Sequence, residues 1–526
     1  MSNQKSKPAV FPLRAACIDT GSNAIRFLAA EFTDRERYTV LVNERASIRL
    51  GHGVFISGRL GAAAMDAAVA ALAGFRRRMN EFAVSHYRAV ATSAVRESTN
   101  GGAFVSRVKK EADVALEVIS GPEEARLVHA AIRSRIDLGS RPWILADLGG
   151  GSVEVSLVDD TGMLWSESHT MGSVRLLEEL SSADQDPGRF RRVLTEYVST
   201  LKIPVAGSDD PPAGFIATGG NIEALAKLTG EPADARGVTV ITLDHLQRVI
   251  DTLTKLSFKE RVSRLGLKED RADVILPAAL VYERLAVLAD AARLHVPGVG
   301  VKEGILLDLA DDLSGHHRHE ERLERDVLTA AVNLGRRFHF DENHARQVSR
   351  LVRSLFGQLS EIHELEFADR RLLLSAALLH DIGSYISRKK HHRHSQYVIS
   401  NSDLSGLSPR EMTVVAAVAR FHRKGDPTPQ HVAMTDLAPE EQRRVTAMAG
   451  LLRMADALDR DHRQSVTGVR VEIGKGTVVL EAKSDDELVL ERVHFKRRSQ
   501  LFARTFGVRV KIRAGAASKS KSVKLG

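Results

Sequence analysis

The chain contains 526 residues, of which 43% are hydrophobic and 27% are charged. This is a globular composition, and the length predicts about two to four domains. No low-complexity block interrupts the sequence, which excludes collagenous, disordered and repeat-array proteins. The single cysteine, Cys17, excludes an internal disulfide framework and a thiolate zinc cluster, so any metal site must use histidine and carboxylate ligands.

No apolar run approaches the length of a membrane span, so we expect no transmembrane segment. Pro12 and Arg14 stand where a signal peptide would be apolar. These two observations predict a cytoplasmic protein.

The positive charge is concentrated at the end of the chain. The net charge is +8, and residues 492–526 carry eleven Lys and Arg residues and no acidic residue. This concentration indicates a polyanionic partner, whereas a solvated tail is the simpler interpretation of residues 516–526. We expect no specific nucleic-acid partner.

Strands and helices alternate along the first 310 residues, which predicts an α/β fold. Period-two alternation with β-branched and aromatic residues predicts strands, and apolar spacing of 3.6 residues predicts helices. The predicted elements are strands in AACID, AIRFLAAEF and YTVLVNE, a helix at 62–82, strands at 87–91 and 116–119, and a helix opened by GPEEARLVHAAI.

The strand-turn-strand pattern recurs in WILADLGGGSVEVSLVDD, which begins at Trp143. DTGS, from Asp19, matches DLGG, from Asp147, at an offset of 128 residues. This duplication predicts two similar α/β subdomains, 14–135 and 136–312, with the substrate in the cleft between them.

The second half of the chain has a different pattern. Residues 320–465 show helical periodicity throughout and predict an all-α domain, preceded by a linker at 314–322. Residues 466–514 alternate again in VRVEI, TVVLEA, ELVLERV and VRVKI, which predicts a small antiparallel α+β module. Residues 515–526 are expected to form a flexible tail.

Three glycine turns in the first half each follow an apolar strand: DTGSN at 19–23, DLGGGS at 147–152 and TGGN at 218–221. Successive backbone amides at such turns form concave anion sites, and glycine lets a phosphate approach the backbone closely. One such turn is weak evidence, but three predict phosphate binding. The candidate phosphate-binding residues are Asp19, Gly21, Ser22, Asn23, Gly149, Gly150, Gly151, Ser152, Thr218, Gly219 and Gly220.

Polar residues beside these turns complete a candidate phosphohydrolase site. Asp147 and Glu154 are candidate Mg²⁺ ligands, because Mg²⁺ binds through one or two carboxylates plus phosphate oxygens. Glu154 is equally well explained as an exposed strand carboxylate. Arg96 can offer a bidentate fork to a phosphate. No G-x-x-x-x-G-K-[ST] loop is present, so a P-loop nucleotidase is excluded.

Glu123 and Glu124 open a predicted helix directly after Gly121-Pro122. The helix dipole alone favours carboxylates there and accounts for one of the pair. The other can orient and deprotonate an attacking water, as anhydride hydrolysis requires.

Six motifs stand in order along residues 14–310: IDTGSNAIRF, ATSAVRES, ISGPEEARL, LADLGGGSVEVSLV, FIATGGNIEAL and VPGVGVKEGIL. With these motifs the segment resembles the exopolyphosphatase and guanosine pentaphosphate phosphohydrolase (Ppx/GppA) family. The resemblance implies an α/β, duplicated actin-like (ribonuclease H-like) ATPase-type fold and Mg²⁺-dependent release of a terminal phosphate. The substrates it implies are inorganic polyphosphate or guanosine pentaphosphate (pppGpp), and it also implies a homodimer.

The same resemblance implies a role for each matching residue. Glu124 is expected to be the catalytic base and Arg96 the arginine that grips the phosphate. Asp147 and Glu154 are expected to be the catalytic carboxylates near Mg²⁺, and the glycine turns are expected to be the phosphate loops.

Histidine and aspartate recur on separate predicted helices of the second half, in an order that resembles the ligand pattern of the HD metal phosphohydrolases. The longer Ppx/GppA members are expected to carry such an HD-like domain, so a second divalent metal is expected here. Each histidine taken singly is also explained as a hydrogen-bonded helix residue. The candidate ligands are His344, His380, Asp381 and Asp456, and His394 and His422 are candidate further ligands or phosphate contacts.

We predict processive hydrolysis of the terminal phosphate of inorganic polyphosphate, with pppGpp hydrolysis in the stringent response as the alternative. An ATP-dependent kinase of the actin-like superfamily and a binding-only protein are the readings outside this class. A long polyanion needs basic contacts outside the cleft. The candidates are Arg388, Lys389, Lys390, His394, His422, Arg497 and Arg498.

Overall fold

The computed structural model describes residues 11–34, 37–181, 187–203, 211–314, 316–423, 425–484 and 486–516. The chain divides into two compact units at the junction of Leu323 and Glu324, here called the α/β unit and the helical unit. Each unit is described by itself.

The α/β unit contains eleven strands among its described residues. They are β1 Leu13–Thr20, β2 Ile25–Phe32, β3 Tyr38–Ala46, β4 His86–Ala91, β5 Leu116–Val118, β6 Trp143–Leu148, β7 Val153–Val158, β8 Met163–His169, β9 Phe215–Thr218, β10 Thr239–Thr242 and β11 Arg293–Val296.

Thirteen helices accompany these strands in the described part of the α/β unit. They are α1 Val54–Ser57, α2 Ala62–Glu81, α3 Ser93–Arg96, α4 Gly101–Ala112, α5 Gly121–Ile132, α6 Ser173–Ser181, α7 Pro187–Ser199, α8 Gly220–Thr229, α9 Leu243–Lys255, α10 Phe258–Leu265, α11 Glu269–Ala272, α12 Ile275–Leu288 and α13 Val301–Ser314.

The strands form two sheets with matching topology. The first has the order β3-β2-β1-β4-β5, and the second has the order β10-β11-β9-β6-β7-β8. In each sheet a hairpin (β1-β2 or β6-β7) is extended by a third antiparallel strand (β3 or β8), and its first strand pairs in parallel with a strand that arrives by a crossover (β4 or β9). The second sheet adds the antiparallel edge strand β10. This agreement confirms the duplication predicted from the 128-residue offset.

The registers of the two hairpins bring equivalent positions to the same place. Asp19 pairs with Arg26 across β1 and β2, and Asp147 pairs with Glu154 across β6 and β7. In the parallel direction, Asp147 lies beside Thr218. The polar ends of these strands therefore meet at one edge of each sheet.

Strand β1 is buried on both faces, as its run of small and apolar residues requires. Ala16 and Ile18 pack on one side with Phe75 of α2, while Cys17 packs on the other with Leu127 of α5. Helices α2 and α5 therefore cover the two faces of this sheet and hold β1, and with it the turn that follows β1, in place.

The helical unit begins within a long helix and continues with helices alone up to residue 457 among the described residues. They are α14 His316–Arg337, α15 Glu342–Gln358, α16 Ser360–His363, α17 Phe367–Leu379, α18 His391–Ser400, α19 Pro409–Arg420 and α20 Pro439–Ala457, with a 3₁₀ turn at Ile382–Tyr385.

Helices α17 and α20 form the centre of this unit, because their apolar residues recur on successive turns. Leu373 and Ala377 of α17, and Met448 and Leu452 of α20, are fully buried. This packing fixes the positions of the polar side chains at the ends of the helices.

The last segment contains β12 Gly468–Gly474, β13 Thr477–Ser484, α21 Val489–Arg498, α22 Gln500–Phe506 and β14 Arg509–Ala516. Two predictions were wrong. Part of ELVLERV forms the start of α21, because its apolar residues Val489, Leu490 and Val493 are exposed and do not line a strand face. The module is also mixed, since β12 and β13 are antiparallel but β13 and β14 are parallel.

Helix α22 packs directly on α20, where a Cβ atom added at Gly450 would lie 3.3 Å from Phe502. The boundaries predicted at 135/136 and 465/466 stay predictions. Among the described residues, every helix is too short or too polar to cross a membrane.

Candidate active site

A cavity of about 250 Å³ opens in the α/β unit where the glycine turns converge. Residues of all three turns line it, together with the start of α13. The predicted residues found in its lining are Asp19, Gly21, Ser22, Asn23, Glu124, Asp147, Gly149, Gly150, Gly219 and Gly220.

Three carboxylates meet beside this cavity. Glu124, Asp147 and Glu154 each place one oxygen within 4.8 Å of the others, and their exposed fractions are 6%, 5% and 1%. The interpretation of Glu154 as an exposed strand carboxylate is therefore wrong. Three buried carboxylates this close are stable only if they share protons or hold a cation.

Neighbouring hydroxyls orient two of these carboxylates. Thr218 Oγ1 donates to Asp147 Oδ1 at 2.7 Å. Ser152 Oγ and Ser168 Oγ donate to the same oxygen of Glu154, Oε1, at 2.6 and 2.9 Å. The second oxygens of Glu154 and Glu124, Oε2, are buried and accept no hydrogen bond. The free oxygen of Glu154 fits a divalent cation, because hard cations take oxygen ligands of this kind, and the free oxygen of Glu124 is open to a water molecule.

Burial shifts the ionisation of all three groups in the same direction. It raises the pKa of Asp147 to about 6 and that of Glu154 to about 7, against the hydrogen bonds from Thr218 and Ser152. The pKa of Glu124 lies well above its usual range, because of burial first and the charge of Glu154 second. Positive charge placed beside the three carboxylates therefore favours their ionised forms.

The structure separates the two adjacent glutamates at the start of α5. Glu123 accepts from Arg126 Nε and Nη2 at 2.8 and 2.9 Å, and Arg88 lies 3.2 Å away. Burial would raise the pKa of Glu123, but these arginines, Arg126 above all, bring it below its ordinary value. Asp308 completes this buried ion cluster through Arg126. Glu123 is thus bound in a structural network, and Glu124 faces the cavity.

Arg96 ends the four-residue helix α3. Its Nη1 donates to the carbonyl of Ile119 at 2.7 Å and lies 3.8 Å from Glu124 Oε2. Its side chain is one-quarter exposed, so part of the guanidinium remains available to a phosphate.

Close backbone approach explains the glycines of the second turn. A Cβ atom at Gly150 would lie 2.9 Å from Ser22, which joins Ser93 through a 2.9 Å hydroxyl pair. Gly219 has φ +108°, in the left-handed region that favours glycine. The three turns can therefore lie against one another only without side chains at these positions.

Four predicted phosphate ligands have other partners or positions. Asp19 accepts from Arg26 at 2.8 Å, and Ser152 and Thr218 donate to the carboxylates described above. Gly151 is packed behind the cavity, where an added Cβ would lie 2.5 Å from Phe55. Gly151, Ser152 and Thr218 shape the turns, and direct phosphate contact does not fit their positions. Asp19 lines the cavity, and its contact with phosphate stays a prediction.

Sequence reasoning missed the cations that line the cavity, Arg45, Arg271 and Lys302. The guanidinium of Arg271 lies against Gly220, and its Nη1 donates to Asn221 Oδ1 at 3.3 Å. Lys302 stands in the motif VPGVGVKEGIL, so that signal was available. Arg271 lies in the short helix α11, and nothing in its local sequence marks it.

A second group of polar residues lies inside the helical unit. His344, His380 and Asp456 form one set of potential ligands within 4.8 Å of one another, and His380, Asp381 and His422 form another. The four predicted ligands are thus brought together. Nε2 of His344 and Nε2 of His380 are buried and have no hydrogen-bond partner.

Two further histidines belong to this cluster. His391 Nε2 lies 3.1 Å from Asp381 Oδ1, and His462 belongs to a third potential ligand set, with His344 and Asp381. His394 was the wrong choice in the KKHHRHS run, because the first residue of α18, His391, points its imidazole at Asp381. The signal was present, but the helix boundary that selects between neighbouring histidines was not predictable.

The predicted polyanion contacts divide into two groups. Arg388, Lys389 and Lys390 line a basic pocket of about 510 Å³ with His392, Arg393, Arg420 and Arg423, and Arg497 is exposed. His422 is buried in the cluster, and Arg498 donates to the carbonyls of His422 and Arg423. His422 and Arg498 are therefore not surface contacts for a polyanion.

The α/β unit thus places three buried carboxylates, three glycine turns and several cations around one cavity. The carboxylates suit a divalent cation, the turns suit phosphate oxygens, and Glu124 suits the activation of water. Fold and site together define a divalent-metal-dependent hydrolase of phosphoanhydride bonds.

Comparison with known sequences gives the family. The Ppx/GppA phosphatase family matches residues 30–313, and domain III of the same family matches residues 328–499. The chain belongs to the Ppx/GppA phosphatase family, whose members hydrolyse phosphoanhydride bonds.

Individual relatives agree with this assignment. A guanosine-5′-triphosphate,3′-diphosphate pyrophosphatase of Pseudoalteromonas translucida (strain TAC 125) is 27% identical over 420 residues, 78% of this chain and 80% of that protein. An exopolyphosphatase from Cytophaga hutchinsonii is 28% identical over 57% of this chain and 98% of its own, with a TM-score of 0.53. A family member from Aquifex aeolicus is 26% identical over 56% and 96%, with a TM-score of 0.48. The likeness to the Cytophaga structure confirms the predicted α/β, actin-like fold.

Proposed function

We propose that the chain is an exopolyphosphatase that removes terminal phosphates from inorganic polyphosphate with Mg²⁺. The observation that carries the proposal is the buried triad of Glu124, Asp147 and Glu154 beside a cavity lined by glycine turns. A terminal phosphate lies against the amides of the turns, and Arg96 neutralises part of its charge.

Asp147 and Glu154 are the residues that would hold Mg²⁺, which supplies positive charge to the reacting phosphate. Ser152, Ser168 and Thr218 keep the two carboxylates oriented through the hydrogen bonds described above. Glu124 accepts a proton from the attacking water. Positive charge beside the triad lowers its raised pKa and leaves its free oxygen, Oε2, as the base.

Polyphosphate is the preferred substrate because the helical unit carries exposed positive charge that a short nucleotide does not need. Arg388, Lys389 and Lys390 lie together in the basic pocket, and Arg497 is exposed. Such residues retain a polyanion by releasing its counterions, which supports repeated cleavage before release.

Hydrolysis of pppGpp is the second candidate. The name of the Pseudoalteromonas relative, which covers most of both chains, favours it. Both substrates present a terminal phosphate in a linear anhydride, so the triad serves either reaction. They differ in the group that follows the phosphates.

We further propose an HD-like domain in the helical unit, with a divalent ion held by His344, His380, Asp381 and Asp456. The unpartnered Nε2 atoms of His344 and His380 support this proposal. The homodimer and the cytoplasmic location stay predictions.

The test measures phosphate release from long-chain polyphosphate and from pppGpp in parallel, with Mg²⁺, for the wild type and for Glu124→Gln. We expect a higher kcat/KM on polyphosphate and loss of both reactions in the variant. A higher kcat/KM on pppGpp would select the second candidate. Full activity of Glu124→Gln would overturn the assignment of the site.

A further inference from the structure

The basic pocket of the helical unit holds positive charge that no acidic side chain compensates. Six lysine and arginine side chains line it, and none of them forms an ion pair with a carboxylate among the described residues. A concave surface lined by charges of one sign concentrates their field and attracts ions of the opposite sign. The six are Arg388, Lys389, Lys390, Arg393, Arg420 and Arg423.

Arg420 is the member of this group whose position points most directly to a ligand. The residue is 7% exposed, and its Nη1 is buried with no hydrogen-bond partner among the described residues. Its Nη2 lies 3.2 Å from Nε2 of His431. A buried guanidinium group that lacks partners costs free energy, which an anion in the pocket recovers. The pocket is therefore shaped to hold an anion.

Exposed aromatic rings flank these cations along the chain. Three aromatic side chains are exposed in the described part of the protein: Phe258, Tyr385 and Tyr397. The two tyrosines are the ends of the segment YISRKKHHRHSQY, 385–397, which supplies four of the six cations. One exposed tyrosine needs no explanation. Two that enclose a run of cations indicate a surface that binds planar groups as well as negative charge.

Tyr397 lies on the same face of α18 as Arg393. The two residues are four positions apart in this helix, so their side chains are neighbours on its surface. Arg393 lines the pocket, and Tyr397 is 67% exposed. A ligand whose charged part enters the pocket can therefore stack a planar group on Tyr397.

Tyr385 is an ordered aromatic platform at the other end of the segment. Its ring stacks on His339, with centroids 5.7 Å apart and planes at 28°, and meets the ring of Phe338 edge-on at 5.7 Å. Tyr385 is nevertheless 59% exposed. Because these neighbours already orient the ring, a ligand that stacks on it loses less conformational entropy.

Rings and uncompensated cations together select one class of ligand. Polyphosphate can use the cations, but it has no planar group that stacks on tyrosine. In a duplex, the bases stack on one another and are not available to the protein. Single-stranded nucleic acid offers a negative backbone and free bases, and proteins bind it through a positively charged groove with aromatic platforms. Two separate tyrosines suit a strand better than a single nucleotide, which has only one base.

We propose that residues 385–397, with Arg420 and Arg423, form a surface that binds single-stranded nucleic acid independently of its base sequence. Backbone phosphates enter the basic pocket, and bases stack on Tyr385 and Tyr397. The surface goes beyond the proposed hydrolysis and needs neither the carboxylate triad nor a metal ion. Because the same cations are proposed to retain long polyphosphate, the two polyanions compete for the pocket. A tyrosine ring stacks on any base, so no specific nucleic-acid partner is required.

The test measures binding of a fluorescein-labelled oligouridylate of about twelve nucleotides to the full chain, by fluorescence anisotropy at several salt concentrations. We expect saturable binding whose logarithmic salt slope is up to about −4, since each neutralised phosphate of a single strand contributes about −0.7. Arg393→Ala should make the slope less negative by about 0.7. The duplex of the same oligonucleotide with oligoadenylate should bind more weakly.

Variants of the tyrosines separate stacking from charge. Tyr397→Leu should weaken binding of the oligonucleotide by about 5- to 150-fold and leave the salt slope unchanged. Tyr397→Phe keeps the ring and should bind like the wild type. Phe258→Leu is the matched control, because Phe258 is the exposed ring of the α/β unit, and it should have no effect. Long-chain polyphosphate, added as a competitor, should bind the wild type and Tyr397→Leu equally well.

Three outcomes would overturn the proposal. Wild-type affinity in the double variant Tyr385→Leu, Tyr397→Leu would reduce the surface to a site for any polyanion. Binding of UTP as tightly as the oligonucleotide would indicate a site for one nucleotide. No binding of the oligonucleotide at low salt by protein that circular dichroism shows to be folded would remove the surface altogether. None of these outcomes depends on which substrate the α/β unit hydrolyses.

Discussion

Replacing Glu124 by Gln tests the division of labour between two adjacent glutamates. The substitution keeps the shape of the side chain but removes the oxygen that accepts a proton from water. General-base catalysis contributes about 10²–10⁴-fold, which is about 3–5 kcal/mol in the barrier. We therefore expect kcat to fall by that factor while KM stays similar, because Glu124 is not needed to hold the phosphate.

The effect on stability should have the opposite sign. Burial and the charge of Glu154 raise the pKa of Glu124 well above its usual range, so the ionised form destabilises the metal-free fold at neutral pH. Glu124→Gln removes the ionisable group, so folding no longer requires proton uptake or a buried charge at this position, and the melting temperature in EDTA should rise. An active-site substitution that stabilises the protein while abolishing turnover is the signature expected of a strained catalytic carboxylate.

Glu123→Gln is the matched control. It removes a hydrogen-bonded charge from Arg126, which keeps Asp308 as a partner at 2.9 and 3.0 Å. The loss of one charged hydrogen-bonding partner predicts about 1.5–3 kcal/mol of destabilisation and a modest change in kcat.

The assay combines steady-state phosphate release with urea unfolding of both variants in EDTA. Equal losses of kcat in the two variants, or destabilisation by Glu124→Gln, would refute the reasoning, because the start of α5 would then need charge at either position.

The remaining predictions concern pH, salt and one hydroxyl. Burial raises the pKa of Asp147 to about 6 and that of Glu154 to about 7. The unfolding free energy of the metal-free protein should therefore fall by about 3 kcal/mol for each group as the pH rises from 4 to 7. Urea unfolding measures this fall, and adding Mg²⁺ at pH 7 should restore the lost unfolding free energy. Ser168→Ala removes a hydrogen bond that lowers the pKa of Glu154, so the acid limb of the pH–rate profile should move to higher pH; an unmoved limb contradicts this. Charge reversal at 388–390 should raise the KM for long polyphosphate and weaken the salt dependence of that KM, with no effect on short chains. Kinetics on polyphosphate of defined lengths measure this effect. An unchanged KM for long chains would contradict the proposed binding of the chain by these residues.

The sequence was sufficient for β1 to β7, for α2 and α5, and for the three glycine turns. Period-two patterns predicted β1, β2 and β3, and the repeated turn predicted the duplication, because both depend on local spacing. The triad was also predicted residue by residue, but its closeness was not. Whether Glu154 is buried depends on the antiparallel register with Asp147, a long-range property.

Contacts between distant elements account for what was missed. Arg271 reaches the cavity because α11 packs near the third glycine turn, some fifty residues earlier in the chain. The sequence around Arg271 does not indicate this contact. In the helical unit, the choice between His391 and His394 depends on where α18 begins. ELVLERV alternates like a strand yet enters α21, because the buried residues of this segment, Glu491 and Phe495, are four positions apart, which is the spacing of a helix face.

The two hairpins differ in charge at one equivalent position, and this difference makes the cavity electrically directional. In the first copy Arg26 neutralises Asp19, whereas in the second copy Glu154 adds a second negative charge beside Asp147. The carboxylate pair of the second copy therefore attracts a cation more strongly than Asp19 of the first copy, which Arg26 neutralises. The reacting end of a phosphate chain pairs with that cation, so the chain can lie in the cavity in a single orientation. The two hairpins share a backbone topology, but their difference in charge determines which end of the substrate reacts.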